Sequence, residues 1–230
     1  MICIAQWDTD NFGIKVGNLY FDEDISKERI QYEVNQAKEE GYELLYLKGV
    51  ELPEEYLNEN LILADEKVIY TQVINGSYHP IADVVSIFNF DLTENLLKLA
   101  YESGKYSRYK IDSNLPSEVF DTLYRIWMRD SLNGKIATDV LSFMVDGKPQ
   151  SILTYKKEGN EIEIGLVAVD ESQAGKGVGT KMMQSFLAML PQGTVVEVAT
   201  QKRNRVACHY YEKNGFSVKS VTNIYHIWIR

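Results

Sequence analysis

The chain has 230 residues, 45% hydrophobic and 25% charged, enough apolar material for one large core or two smaller ones. Its formal net charge of −9 excludes a nucleic-acid surface, which needs a basic face on the scale of a domain, so no nucleic-acid partner is expected. An anionic ligand would have to be held by local backbone amides and a few cations.

Asp8, Asp10 and Asn11 break any apolar signal core, and no apolar run reaches the length of a membrane span. Cys3 and Cys208 suggest neither a disulfide framework nor a metal knuckle, and the three histidines show no ligand spacing. A cytoplasmic, metal-free protein with no membrane span is expected, with a homodimer left open.

In chain order, residues 1–80 read as a small α/β unit. Ile14 to Phe21 is strand-like, Ser26 caps a helix that Gly41 stops, and Leu44–Leu47 and Val68–Ile74 are strands. The turn-rich run Asn75 to Pro80 marks a boundary. Residues 81–230 then give helices at Thr93–Ser103 and Ser117–Leu132, and strands at Val140–Val145, Ser151–Lys156 and Glu161–Val169. Asp146-Gly147 and Gly159-Asn160 are hairpin turns between those strands. A helix at Gly177–Leu190, a strand at Val195–Thr200, a helix at Arg205–Lys213 and a β-rich C-terminus complete the pattern.

The run Ala174 to Met183, AGKGVGTKMM, follows a strand and opens a helix. Glycines there let the chain turn tightly and leave amides unobstructed, with the positive end of the helix dipole behind them. Such a turn suits a pyrophosphate, and Lys176, Lys181 and Thr180 add donors. It is not a Walker loop, lacking the Gly-Lys-Ser/Thr ending. Nor does it open the βαβ unit of a dinucleotide fold.

From Glu161 through Phe216 the chain resembles the GNAT superfamily of acyl-CoA-dependent N-acetyltransferases. Ala174, Gly177 and Gly179 align with that family's Gln/Arg-x-x-Gly-x-Gly/Ala signature, Ala174 departing at its first position. The resemblance implies an α/β (α+β) fold: a small N-terminal α/β domain plus a domain with a mixed, splayed central sheet flanked by helices. It implies acetyl-CoA as co-substrate. Val167 and Val169 would pair their backbone with pantetheine, while Gly175, Lys176, Gly177, Val178, Gly179 and Thr180 would hold the pyrophosphate.

Asn204 would reach the pantetheine arm, and Tyr211, two helical turns further on, would protonate the departing thiolate. A phenol of pKa about 10 is a sensible donor to a thiolate of reference pKa about 8.5. Tyr210 would pack at the cofactor or against the sheet. Glu163 stands where some family members carry a glutamate base, with ordered water as the alternative. Lys202, Arg203 and Arg205 form either a solvated helix entrance or a seat for the CoA phosphate.

A closer resemblance is to dTDP-fucosamine N-acetyltransferases, carried by Ala199-Thr200-Gln201, Asn204, Tyr211, the IGLVA strand, the Tyr- and Trp-containing C-terminus and the opening Trp7 to Gly13. Asp170–Gln173 is longer than that family leads one to expect. This implies a nucleotide-linked amino sugar as partner, used in cell-surface polysaccharide or lipopolysaccharide biosynthesis. Tyr106, Arg108 and Tyr109 would face it, the rings stacking on base or sugar and Arg108 pairing with a phosphate. A protein, peptide or small-amine acetyltransferase and a noncatalytic acyl-CoA-binding module stay open as alternatives.

Overall fold

The computed structural model describes residues 1–21, 25–81 and 83–230. The first part of the chain runs β1 (Ile2–Ile4), α1 (Gln6–Phe12), β2 (Val16–Leu19), α2 (Lys27–Glu39), β3 (Leu44–Lys48), a 3-10 turn at Glu54–Tyr56 and β4 (Leu61–Val73). Then come β5 (Val84–Ser86), α3 (Glu94–Gly104), α4 (Arg108–Ile111), α5 (Glu118–Leu132), β6 (Asp139–Val145), β7 (Lys148–Pro149), β8 (Ser151–Glu158) and β9 (Glu161–Val169). After a 3-10 turn at Glu171–Gln173 the chain closes with α6 (Val178–Ala188), β10 (Val195–Gln201), α7 (Arg205–Lys213) and β11 (Ser217–Trp228).

The helix starts follow the capping chemistry of the sequence. Ser26 Oγ accepts from Arg29 N at 3.2 Å and Thr93 Oγ1 from Leu96 N at 3.3 Å. Gly41, just past α2, has φ of +75°. Asp146 and Gly147 both have positive φ, as a two-residue hairpin turn requires.

Among the described residues the strands form one sheet in the order β1-β2-β3-β11-β4-β10-β9-β8-β6-β5, with β7 beside β6. Among the described residues only the β2/β3 and β9/β10 pairs are parallel. β4, from the first half of the chain, lies between β10 and β11 and is hydrogen-bonded to both. The sheet therefore runs without a break across the expected boundary at residues 75–80.

Neighbouring strand residues point to opposite faces, so along β6 and β8 two of the four buried clusters can be told apart. Val140 and Ile152 pack on α3 and α5 with Leu96, Leu99, Leu123 and Met128. Leu141 and Leu153 pack on α6 and α7 with Met182, Met183, Phe186 and Tyr211. Each fully buried side chain of this size contributes about 1.5–3 kcal/mol.

Four differences from the sequence expectation have local causes. β4 starts at Leu61, not Val68, because Asp65, Glu66 and Lys67 interrupt its apolar pattern while remaining in register with Ile224, Asn223 and Thr222. The strand expected at Ile14–Phe21 is limited to Val16–Leu19, where it is paired to both neighbours. Arg108–Ile111, a stretch to which no element was assigned from the sequence, forms the helical turn α4. α1, a short helix in the WDTDNF run ended by Gly13 at φ +71°, was not expected.

Candidate active site

β9 and β10 are paired only from Glu161/Val195 to Ile164/Val198. Beyond that point Gly165–Val169 stay with β8, Ala199–Gln201 stay with β4, and the sheet opens as a wedge. A bulge sits at the opening, where Gly165 and Leu166 together oppose Thr154. One extra residue reverses the alternation of a strand. Ile162 and Ile164 accordingly pack toward α6 and α7, whereas Leu166 and Ala168 pack toward α3 and α5. Leu166 N donates to Thr154 Oγ1 at 2.8 Å, and a Cβ on Gly165 would stand 2.7 Å from that oxygen.

A cavity of about 390 Å³ occupies the wedge. Val167, Asn204 and Tyr211 line it, as do Glu163, Arg108 and Tyr109. Thus six of the residues singled out in the sequence border one space. Asn204 caps α7, its Oδ1 accepting from Ala207 N at 3.1 Å. Tyr211 is 4% exposed, and burial raises its pKa above the ordinary phenol value, keeping the proton on oxygen. Glu163 is exposed, on the paired part of β9 opposite Glu197.

The glycine turn lies outside this cavity, at the start of α6. Gly175 and Gly177 have φ of +73° and +76°, and an added Cβ on either would meet no atom within 4 Å. Ala174, Gly175, Lys176 and Gly177 are exposed, Val178 is buried, and Gly179 and Thr180 are half-buried. The first amides of a helix have no partner within it, and the turn before α6 is exposed, although the Lys176 amide donates to Gln173 O at 3.2 Å. The chain here fits an anionic group such as the pyrophosphate of CoA.

Val169 packs beside Gly179, and Tyr210 OH donates to Gly179 O at 2.7 Å. Tyr210 therefore ties α7 to the first turn of α6. Lys202 Nζ pairs with Glu66 Oε1 at 2.5 Å and Arg203 Nη2 donates to Ala64 O at 2.9 Å, while Arg205 is exposed. Two members of the basic cluster are thus engaged with β4.

On the α4/α5 face, the Arg108 guanidinium lies 4.8 Å from the Tyr46 ring centroid and 4.4 Å from that of Tyr109. It donates to the Tyr109 hydroxyl, while its Nε is buried without a hydrogen-bond partner. Tyr106 is half-buried with Lys105 Nζ 5.4 Å from its ring centroid, and it does not line the cavity.

Several lining residues escaped the sequence reading. Asp65 and Lys67 come from β4, Tyr124 and Trp127 from α5, and Thr154 from β8. The charged run Asp65-Glu66-Lys67 inside a strand was the one signal available, and it does not single out Asp65. A second unanticipated group is Asp112, whose Oδ2 lies 2.6 Å from His226 Nδ1 and accepts from Trp228 Nε1 at 3.0 Å. It fastens the segment carrying Arg108 and Tyr109 to β11.

The family model described as "Acetyltransferase (GNAT) family" matches residues 93–216. The "Spore coat polysaccharide biosynthesis protein SpsD" of Bacillus subtilis (strain 168) is 27% identical over 138 residues, 59% of this chain and 47% of that protein. The chain thus matches about half the length of that relative. A GCN5-related N-acetyltransferase from Sphaerobacter thermophilus shares the fold at a TM-score of 0.56 and 11% identity, over 96% of this chain and 74% of that one. A functionally unknown conserved protein from Staphylococcus epidermidis ATCC 12228 does so at 0.62 and 11%, over 94% and 84%.

Proposed function

The chain belongs to the acetyltransferase (GNAT) family, and on that premise we propose that it moves the acetyl group of acetyl-CoA to the amine of a nucleotide-activated amino sugar. The sugar is of the dTDP-4-amino-4,6-dideoxyhexose type, and the product serves cell-surface polysaccharide biosynthesis. The observation that carries this reading is the wedge between β9 and β10, with a glycine-rich anion seat on one side and a cavity containing Arg108 and Tyr109 on the other. The polysaccharide-biosynthesis name of the Bacillus subtilis relative supports a sugar acceptor.

In this reading acetyl-CoA supplies an acyl group activated as a thioester. The amides of Gly175 and Gly177–Thr180 hold its pyrophosphate, that of Lys176 being bonded to Gln173 O at 3.2 Å, and Val167, Val169 and Asn204 hold its pantetheine. Arg108 pairs with the acceptor's phosphate, Tyr109 stacks on it, and Tyr106 contacts it at the rim. The Tyr211 hydroxyl carries a proton to the departing sulfur. Holding both substrates in one cavity supplies the proximity that makes the attack effectively unimolecular.

The test is a thiol-release assay with acetyl-CoA against a panel of dTDP-linked 4-amino sugars, basic peptides and small amines. The sugars are expected to be turned over best. A basic peptide or a simple amine at the head of the panel contradicts the sugar acceptor.

A further inference from the structure

The sheet separates two helical layers, so the proton leaving the amine and the proton reaching the sulfur can be handled from opposite faces. Tyr211 packs on the α6/α7 face with Val68 and Tyr70. On β4 the intervening residues point the other way. Lys67 is opposite Gln201 and Ile69 opposite Ala199, and Asp65 continues this row past the end of β10, at the mouth of the wedge. Its side chain borders the same cavity as Tyr211, Ala199 and Gln201. Asp65 is 4% exposed, and its Oδ1 is buried without a hydrogen-bond partner. Among the described residues no cation lies within ion-pair distance of it. Burying an unpaired carboxylate costs stability, so the fold gains nothing from it by packing alone.

Resting on the acyl-transfer reading above, we infer that Asp65 is the catalytic base, its carboxylate receiving the acceptor's ammonium group and taking the proton that nitrogen must lose before attack. The freed lone pair forms the C–N bond to the thioester carbonyl carbon, and the C–S bond breaks. The sulfur takes the Tyr211 proton, and the second proton shed by nitrogen restores the phenol. Asp65 then returns its own proton to solvent. The sum is ammonium plus acetyl thioester giving amide, thiol and one proton.

Burial pushes the Asp65 pKa up to about 6, against the pull of Arg108, Arg203 and Lys67. The charges acting on it are Arg108 on α4, Arg203 in the turn before α7 and Lys67 on its own strand, and the Tyr124 phenol on α5 is influenced by it in turn. Such a carboxylate is ionised at neutral pH and a stronger base than an exposed one. Glu163, which the sequence reading set beside ordered water as a candidate base, is exposed.

The experiment compares wild type, Asp65→Asn and Glu163→Gln, using whichever amine of the panel wild type acetylates best. It records kcat/KM from pH 5 to 9, acetyl-CoA affinity by calorimetry, and Tm without ligand. Asp65→Asn is expected to lower kcat/KM by roughly 10²–10⁴-fold and to abolish an acid limb near pH 6. Acetyl-CoA affinity should stay within about threefold, a general acid–base group adding little to ground-state binding. Its Tm should exceed wild type at pH 8, because the fold disfavours the charged form, and the gain should vanish toward pH 4.

Retention of the rate and the limb in Asp65→Asn, or loss of the limb only in Glu163→Gln, overturns the inference. So does a variant that melts below wild type at pH 8 or fails to fold, the mark of a structural counter-ion to Arg108. If a peptide proves the best acceptor, only the sugar reading falls and the comparison is made with the peptide. If wild type acetylates no amine, the acyl-transfer reading and this inference fall together.

Discussion

The backbone N–H of Leu166 donates to the Thr154 hydroxyl at 2.8 Å, a side chain holding a neighbouring strand out of register. That bond fixes the bulge that turns β9 over where the wedge opens. Thr154→Val keeps the shape and removes the acceptor, leaving a buried amide unpaired at a cost of about 1–3 kcal/mol. Urea unfolding is expected to show this loss, and kcat to fall with it. A variant within about 0.3 kcal/mol of wild type contradicts the role given to the hydroxyl.

Gly104 ends α3 with the Tyr124 ring against it, and a Cβ there would come 2.1 Å from that ring. Helix propensity alone favours alanine over glycine by about 1 kcal/mol. Overpacking a ring that is 4% exposed outweighs this. Gly104→Ala should therefore lower stability by about 1–3 kcal/mol in denaturant unfolding. A rise in stability would mean that Tyr124 moves freely.

Asp112 and His226 give the fold a sensitivity to acid. Burial disfavours the charge on Asp112, yet hydrogen bonds from His226, the Asn114 amide and Trp228 hold its pKa below the ordinary value. Burial holds the His226 pKa below its ordinary value. Both shifts are downward, so their stabilisation is present above the unfolded-state values of about 6.5 and 3.9 and is lost as pH falls through the folded ones. In the Asp65→Asn background, where the opposite titration of Asp65 is absent, Tm should decline from pH 7 to pH 4. Asp112→Asn should melt below wild type at pH 7, with the gap closing below about pH 4. Equal Tm values at pH 7 contradict the account.

At the glycine turn, Gly177 combines a φ of +76° with open space in front. Gly177→Asp adds a left-handed strain of about 1–2 kcal/mol and puts a negative charge where the pyrophosphate is to sit. Calorimetry should find acetyl-CoA binding abolished. Equal affinity for variant and wild type would place the anion elsewhere.

Much of this was legible in the sequence because it rests on short-range chemistry. Ser26, Thr93, Asn204 and the glycines around 175–179 set helix starts by local hydrogen bonding and backbone freedom. Six residues chosen by motif, from Arg108 to Tyr211, border one cavity. The insertion of β4 between β10 and β11 was hidden, since it depends on pairing across more than a hundred residues. Asp65 was hidden with it: in LADEK it reads as a charge interrupting a strand, and only the register places it on the cavity face. The Asp112–His226 contact is equally non-local. Tyr210 shows the opposite limit, a motif residue whose hydroxyl is bonded to Gly179 O.

The most direct test of the central claim, acyl transfer at the wedge, is the Tyr211→Phe variant. It removes one hydroxyl and leaves the ring packed against Tyr70 and Phe216. Stability and acetyl-CoA affinity should change little. If the hydroxyl protonates the departing sulfur, kcat should fall by roughly 10²–10⁴-fold. An unchanged kcat, or a loss confined to Tm and cofactor affinity, would remove Tyr211 from the chemistry and contradict the account.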